Sequence, residues 1–393
     1  MGLTDALARY ALRATHVLVV EVPGEWRTRV GLEQQMLRRG WRPAWTPADA
    51  DVLAVCGIPG PALAENVGQL WEQMPGPRVR ADIGSLSHVS SALDDAATLL
   101  LDTPHHRADA QNRPERPQLP EPHGQSDDDG MDHGGHGHHG EHQSADHSDM
   151  GHGGHDGMDH GGHGGIDMAP EGIPLATGGQ DRDGLEMDVL HLPWGPVLPF
   201  WPAGLVLRCA LQGDVVVEAG ASVIDDAHHH GPGEGHPAQA PWAAVRCDNA
   251  MALLALAGAE DVAVRARRAR DALLDGNGDA ARDAVTRLHR AVRRSRLLRW
   301  SLRGVLPLTA SDLEDHGLPM SCLGDAHDRL VSLVERVRAQ VHDRGPMNPS
   351  GTGAVVWDEL PHLMTGLELA TVRLAVASLD LDPLPGAREV ARA

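Results

Sequence analysis

Three short apolar runs, His16–Val22, Val52–Cys56 and Arg78–Ile83, are rich in β-branched side chains and predict strands. Between them the apolar residues recur at helical spacing. Val30, Leu32, Met36 and Leu37 share one face of a helix over Trp26–Arg39, and Leu63, Val67 and Leu70 do the same over Ala62–Gln73. Ser87–Leu101 supplies a last helix. Strands alternating with helices predict an α/β domain over residues 1–102, a small doubly wound parallel sheet of flavodoxin type. Ligands of such a sheet sit at the carboxyl ends of its strands, where this chain has the loop Gly57-Ile58-Pro59-Gly60.

The pattern changes after residue 184. Met187–Leu192 and Val206–Glu218 read as strands around Gly195-Pro196-Val197-Leu198-Pro199, with Gln212-Gly213-Asp214 as a hairpin turn. Beyond them the spacing is helical. Asn249–Leu274 and Ala280–Leu302 carry long apolar-periodic patterns split by Gly276-Asn277-Gly278. Asp325–His342 and Glu359–Leu379 follow, the latter with Pro361 tolerated in its first turn. Residues 184–393 are expected to form a mainly α domain that opens on a small β-element.

Residues 103–183 have neither periodicity. The octet Gly-Met-Asp-His-Gly-Gly-His-Gly occurs twice, from Gly130 and from Gly157, with a partial copy at Asp149–His155. Without branched aliphatic residues to bury, residues 130–164 cannot offset the entropy of ordering their backbone, so a disordered His/Gly/Asp/Met-rich linker is expected over 103–183. It is also a candidate metal-binding tract. His133, His136, His138, His139, His142, His147, His152, His155, His160 and His163 present imidazoles flanked by carboxylates that include Asp132 and Asp159. Imidazole with carboxylate suits zinc, nickel or copper(II), and Met131, Met150 and Met158 would tolerate copper(I). Several exchangeable sites are expected rather than one closed structural site.

Composition narrows the partners. The chain has 393 residues and a formal charge of -21 with histidine neutral, which argues against nucleic acid and an anionic membrane surface. No lysine is present, and nine Trp stand against one Tyr and one Phe, a usage read as the codon bias of a GC-rich genome. Cys56, Cys209, Cys247 and Cys322 form no Cys-x-x-Cys pair, so neither a disulfide framework nor a zinc ribbon is indicated and a reducing cytosol fits. Met1–Ala14 does not read as a secretory leader, and no apolar run approaches the ~18 residues that span a bilayer. Membrane association is therefore expected only through partners, at the inner face of the cell membrane.

Two resemblances sharpen this reading. Ala50-Asp51-Val52-Leu53-Ala54-Val55-Cys56-Gly57, Pro61-Ala62-Leu63, Trp71-Glu72-Gln73-Met74-Pro75-Gly76-Pro77-Arg78 and Ile83-Gly84-Ser85 together resemble the cluster-binding B subunit of NADH-quinone oxidoreductase (complex I) and the related small subunit of membrane-bound hydrogenases. That family ends the last of these strands in Gly-Ser-Cys, whose thiolate holds a [4Fe-4S] cluster; here the position is Leu86. The family's early cysteine pair would fall in Val22-Pro23-Gly24-Glu25-Trp26, which has none. A cluster needs about four thiolates, so the resemblance implies a clusterless domain with Cys56 as a core residue.

The second half resembles the D subunit of the same complex, kin to the hydrogenase large subunit. The matching patches are Gly195-Pro196, then Gly204-Leu205-Val206-Leu207-Arg208 with Gly213-Asp214-Val215-Val216, then Asn249-Ala250-Met251 with Arg265-Ala266 and Arg270. Gly324-Asp325-Ala326-His327-Asp328-Arg329, continued by Glu335 and Arg338, is similar to that family's Gly-Asp-x-x-Asp-Arg signature, and Ala377-Ser378-Leu379-Asp380 to its carboxyl end. The quinone-facing histidines are replaced by Leu198-Pro199-Phe200-Trp201-Pro202, and the only tyrosine is Tyr10. The nickel-iron site would need paired cysteines at both ends, where the chain offers Cys247 and Asp380-Leu381-Asp382-Pro383-Leu384-Pro385.

No catalytic residue is assigned on this basis, and no cofactor is expected in the folded domains. The retained Asp325, Asp328, Arg329, Glu335 and Arg338 are spaced for ion pairs that organise the helices, with proton transfer as the alternative role. Arg290, Arg293, Arg294, Arg296, Arg299 and Arg303 read as a solvated face or a contact for an acidic partner. The expectation is a subunit or assembly component of a complex related to NADH-quinone oxidoreductase or membrane hydrogenase, without its own Fe-S, NiFe or quinone site. The alternatives are a nickel, zinc or copper storage or delivery protein acting through the linker, and an oxidoreductase that uses clusters of partner chains.

Overall fold

The β-branched runs of the first region form a parallel sheet, β1 (His16–Glu21), β2 (Arg42–Pro43), β3 (Val52–Cys56) and β4 (Val79–Ile83), in the order β2-β1-β3-β4. The computed structural model describes residues 10, 12–113, 177–180, 186–225, 242–343 and 359–381. Strand position dictates residue choice. β3 is central and buried at all five positions, whereas β4, on the edge, buries Val79, Ala81 and Ile83 and exposes Arg80 and Asp82.

Side chains alternate across the sheet, so each face has its own core. Val17, Val52, Ala54, Cys56, Val79, Ala81 and Ile83 pack with α1 (Trp26–Arg39) and α3 (Val89–Leu100). Leu18, Val20, Leu53 and Val55 pack with α2 (Pro61–Gln73). Val197 and Ile224 from the second region close that core. Each fully buried Leu or Val contributes about 1.5–3 kcal/mol.

The α/β region runs on past residue 102. Asp102 caps α4 (Thr103–Asn112) by accepting from His105 N at 3.2 Å, with Pro104 in the first turn. Asp109 of α4 then receives Arg78 at 3.2 Å and Arg113 at 2.6 Å. The start of the expected linker is thus helical. Near its other end lies a strand, β5 (Thr177–Gln180), which pairs antiparallel with β6 (Glu186–Trp194).

β7 (Leu205–Gln212) and β8 (Val215–Val223) complete an antiparallel sheet in the order β5-β6-β7-β8, and Gly213 turns the hairpin at a φ of 61°. The helices that follow are more finely divided than the apolar periodicity predicts. Asn249–Leu274 falls within two helices, α5 (Trp242–Leu256) and α6 (Glu260–Leu274), broken at Gly258, whose φ is 72°. Ala280–Leu302 is likewise divided into α7 (Gly278–Arg294) and α8 (Arg296–Leu302) by Ser295, whose hydroxyl accepts from Leu298 N at 3.2 Å. α9 (Ala310–Asp315) and α10 (Ala326–Asp343) follow. α11 (Leu360–Met364) and α12 (Leu369–Ser378) divide the last predicted helix at Gly366. All described residues belong to one compact unit.

Candidate functional site

The two regions meet over a buried network of opposite charges. Glu21 ends β1, Arg29 and Glu33 lie a turn apart on α1, Asp248 is on α5 and Arg270 on α6. Arg29 donates to Glu21, Glu33 and Asp248 at once. Arg270, fully buried, reaches Glu33 at 2.7 Å and Asp248 at 2.6 Å. Trp26 Nε1 also donates to Asp248, at 2.8 Å. Trp26 and Val30 pack on Ala244, so an apolar contact also joins the two regions here.

Four carboxylates against two guanidiniums, counting Asp271 at 3.0 Å from Arg270, cannot all be equally satisfied. Burial would raise the Asp248 carboxyl, but Arg29 and Arg270 outweigh it and bring it down to about 2. Burial pushes the Glu21 carboxyl above its usual range, which Arg29 only partly offsets. Glu21 is therefore the member that takes a proton most readily. Its register partner on β3 is Cys56, whose thiol is pushed far up by burial and by Glu21.

This network forms one wall of a cavity of about 1180 Å³ between the regions, ample for a small organic ligand. Trp41, Trp45, Phe200 and Trp201 line it, and the Trp45 and Phe200 rings stand 5.2 Å apart across the seam. Gly195 shapes the loop on this side. A Cβ there would lie 2.0 Å from the Leu205 carbonyl and 2.7 Å from Trp201 Nε1, two groups that hydrogen-bond to each other at 2.8 Å. Pro196, which follows it, is joined by a cis peptide bond and lines the cavity.

At the carboxyl ends of the parallel strands, the loop Gly57–Gly60 leads into α2, whose first amides form the usual place for an anion. Asp225, just after β8, occupies it, accepting from Leu63 N at 2.7 Å and Ala62 N at 3.3 Å. A Cβ on Gly60 would fall 2.4 Å from the Asp225 carboxyl carbon. Leu86, after β4, lies against α1, where a Cβ on Gly31 would come 2.2 Å from Leu86 Cδ1.

The residues singled out in the second region are brought together in pairs. Asn249 donates to Asp380 at 2.7 Å, and Arg246 stands 3.1 Å from the same carboxylate. Arg329 is buried, and it meets carbonyls where carboxylates were expected: Leu306 at 2.9 Å, Cys322 at 3.2 Å and Gly324 at 2.6 Å, with the Ser378 hydroxyl at 2.8 Å. Burial lowers its guanidinium to about 10, still charged at neutral pH. Asp325 and Asp328 cap the start of α10 by accepting from each other's amides, and Asp325 also takes Gly304 N at 3.1 Å. Glu335 pairs at the surface with Arg293, and Arg265 and Arg338 are exposed. The expected set of buried ion pairs within this motif is therefore replaced by a buried guanidinium holding loop carbonyls.

Among the described residues, Asp325, His327 and Asp328 are the one group of three whose ligating atoms come within 4.8 Å of one another. Each of the two carboxylates accepts from the other residue's backbone amide, and burial, joined by Arg299, depresses His327. The four thiols are buried, and burial raises all four, Cys247 to about 12 and Cys322 to about 11. The proposed metal ligands His133, His136, His138, His139, His142, His147, His152, His155, His160, His163, Asp132 and Asp159 lie outside the described residues.

Sequence patterns had not pointed to Glu21, Arg29, Glu33 or Asp248. One signal was present: Asp248 interrupts Trp242–Leu256, a helix apolar nearly all round, where a charge requires a buried partner. In comparison with protein-family models, curated proteins and solved structures, the chain matches none.

Proposed function

We propose that the chain is a fused, two-region counterpart of the B and D subunits of NADH-quinone oxidoreductase, acting as a subunit or assembly component of a related redox complex without its own Fe-S, NiFe or quinone site. The observation that carries this reading is the interlobe network. Two regions that resemble separately made docking subunits meet over Arg29, Glu33, Asp248 and Arg270, with Arg270 being one of the motif positions. The strand order β2-β1-β3-β4 with helices on both faces accords with the flavodoxin-type sheet this kinship requires. The position where the family places its Gly-Ser-Cys thiolate is taken by Leu86, which packs on Gly31.

The cavity beside Glu21 favours a second reading, an oxidoreductase subunit whose clusters come from partner chains. One experiment separates the two. The chain is purified anaerobically from its source, co-purifying chains are identified, and iron and sulfide are measured. Redox-complex subunits around an iron-free, inactive chain support the first reading. Electron transfer that needs those subunits and is lost on filling the cavity, as by Ala255→Trp, supports the second. Iron near the four per chain of a full cluster, or no redox partner at all, sinks the proposal.

A further inference from the structure

We propose that the face carrying α8 docks directly on an anionic lipid bilayer, so that this chain meets the membrane itself as a peripheral protein. Between Asp283 and Asp312 the sequence has no carboxylate, yet it carries Arg290, Arg293, Arg294, Arg296, Arg299 and Arg303, in a chain of formal charge -21. All six are exposed. Of these only Arg293 meets a carboxylate among the described residues, Glu335 at 3.0 Å. No helix among the described residues is long and apolar enough to cross a membrane.

Apolar side chains stand among these charges. α8 buries Leu298 and Leu302 and leaves Leu297 and Trp300, one turn apart, 72% and 77% exposed. Arg329 holds the Val305 and Leu306 carbonyls after α8 together with the Cys322 and Gly324 carbonyls, so the turn Met320–Cys322 is tied to the same corner. Met320 is 71% exposed there, and Leu323 40%. Arginines alone would suit any polyanion. Leucine and tryptophan between them fit a bilayer interface, where Trp sits at headgroup level, Leu enters the acyl boundary and arginine stems snorkel to the phosphates. Nucleic acid offers Leu297 no apolar socket, and an acidic protein would have to supply one. The acidic remainder of the chain is repelled by an anionic surface, which leaves this face to approach it.

The test uses the full chain at a pH well above about 6.5, where imidazoles are neutral. It is floated with vesicles of phosphatidylcholine alone and of phosphatidylcholine with phosphatidylglycerol. Binding is expected only to the second, weakening as salt rises. Each basic residue near such a surface is worth about five-fold, so R294Q/R296Q should lose about 25-fold. L297S/W300S should lose at least about ten-fold. Unchanged melting temperatures exclude misfolding of these surface variants. As a measurement without variants, acyl-brominated phosphatidylglycerol should quench part of the wild-type tryptophan emission. Failure to bind, or binding indifferent to both double substitutions, overturns the proposal. So does capture by immobilised polyglutamate without capture by vesicles, which would make the face a protein contact.

Discussion

Trp26 Nε1 donates to Asp248 Oδ2 at 2.8 Å although 222 residues separate them in the chain. The indole comes from the first turn of α1 and the carboxylate from the second region, so this bond exists only when the two are docked. Arg29 and Arg270 share that carboxylate, which makes Asp248 the common acceptor of three donors. Replacing it with asparagine keeps the shape but leaves two largely buried guanidiniums undercompensated. We expect Asp248→Asn to cost about 3–5 kcal/mol in chemical denaturation. A loss within experimental error would mean that the network contributes nothing to docking.

Glu21 should behave in the opposite sense. Its carboxyl is held above the usual range, so it stabilises the fold only when protonated; that contribution is complete below about 4.3 and is lost as pH rises through the folded value. Asp248, held down to about 2, contributes above its ordinary range and loses that as pH falls through about 2. Glu21→Gln should therefore match or exceed the wild type in stability at neutral pH, with the advantage vanishing in acid. A melting-temperature series against pH checks this, and a Gln variant less stable at neutral pH than in acid, relative to wild type, contradicts it.

These residues also mark how far the sequence could be read. β1, β3 and β4 were legible because two of them hold short valine-rich apolar runs and the third alternates, and α1 matches its predicted bounds. The divisions at Gly258, Ser295 and Gly366 were not, because helices joined by one to four residues keep an apolar period across the break. The signals there were local ones: glycine at positive φ, then Glu260-Asp261 or a capping serine. The site was illegible for another reason. Its members lie far apart in sequence, and all but Asp248 and Arg270 read alone as ordinary surface charges. Arg329 could be singled out, but its carbonyl partners carry no sequence signal.

Asp225 predicts an effect on a helix in the other region. Its carboxylate caps the first turn of α2 from beyond β8. Asp225→Ala should cost about 1 kcal/mol, roughly 2–4 °C in melting temperature for a domain of this size, and Asp225→Asn only part of it. Amide exchange at Ala62 and Leu63 should quicken selectively in the alanine variant; an unchanged rate there would remove Asp225 from the capping role.

A proposed metal-binding tract lies between Gly130 and Gly164. Its histidines recur every few residues in a glycine-rich background, so neighbouring imidazoles can converge on one ion without strain. Ligation needs neutral imidazole, hence affinity for nickel, zinc or copper should fall as pH drops through about 6.5. Deleting residues 130–164 removes none of the side chains that pack the two cores or the interlobe network. The shortened chain should therefore melt as the full one does while losing most of its metal uptake. Calorimetric titration of both chains, about one unit above and one below that pH, measures this. Equal uptake by the two would place the metal sites elsewhere and leave the tract as a spacer.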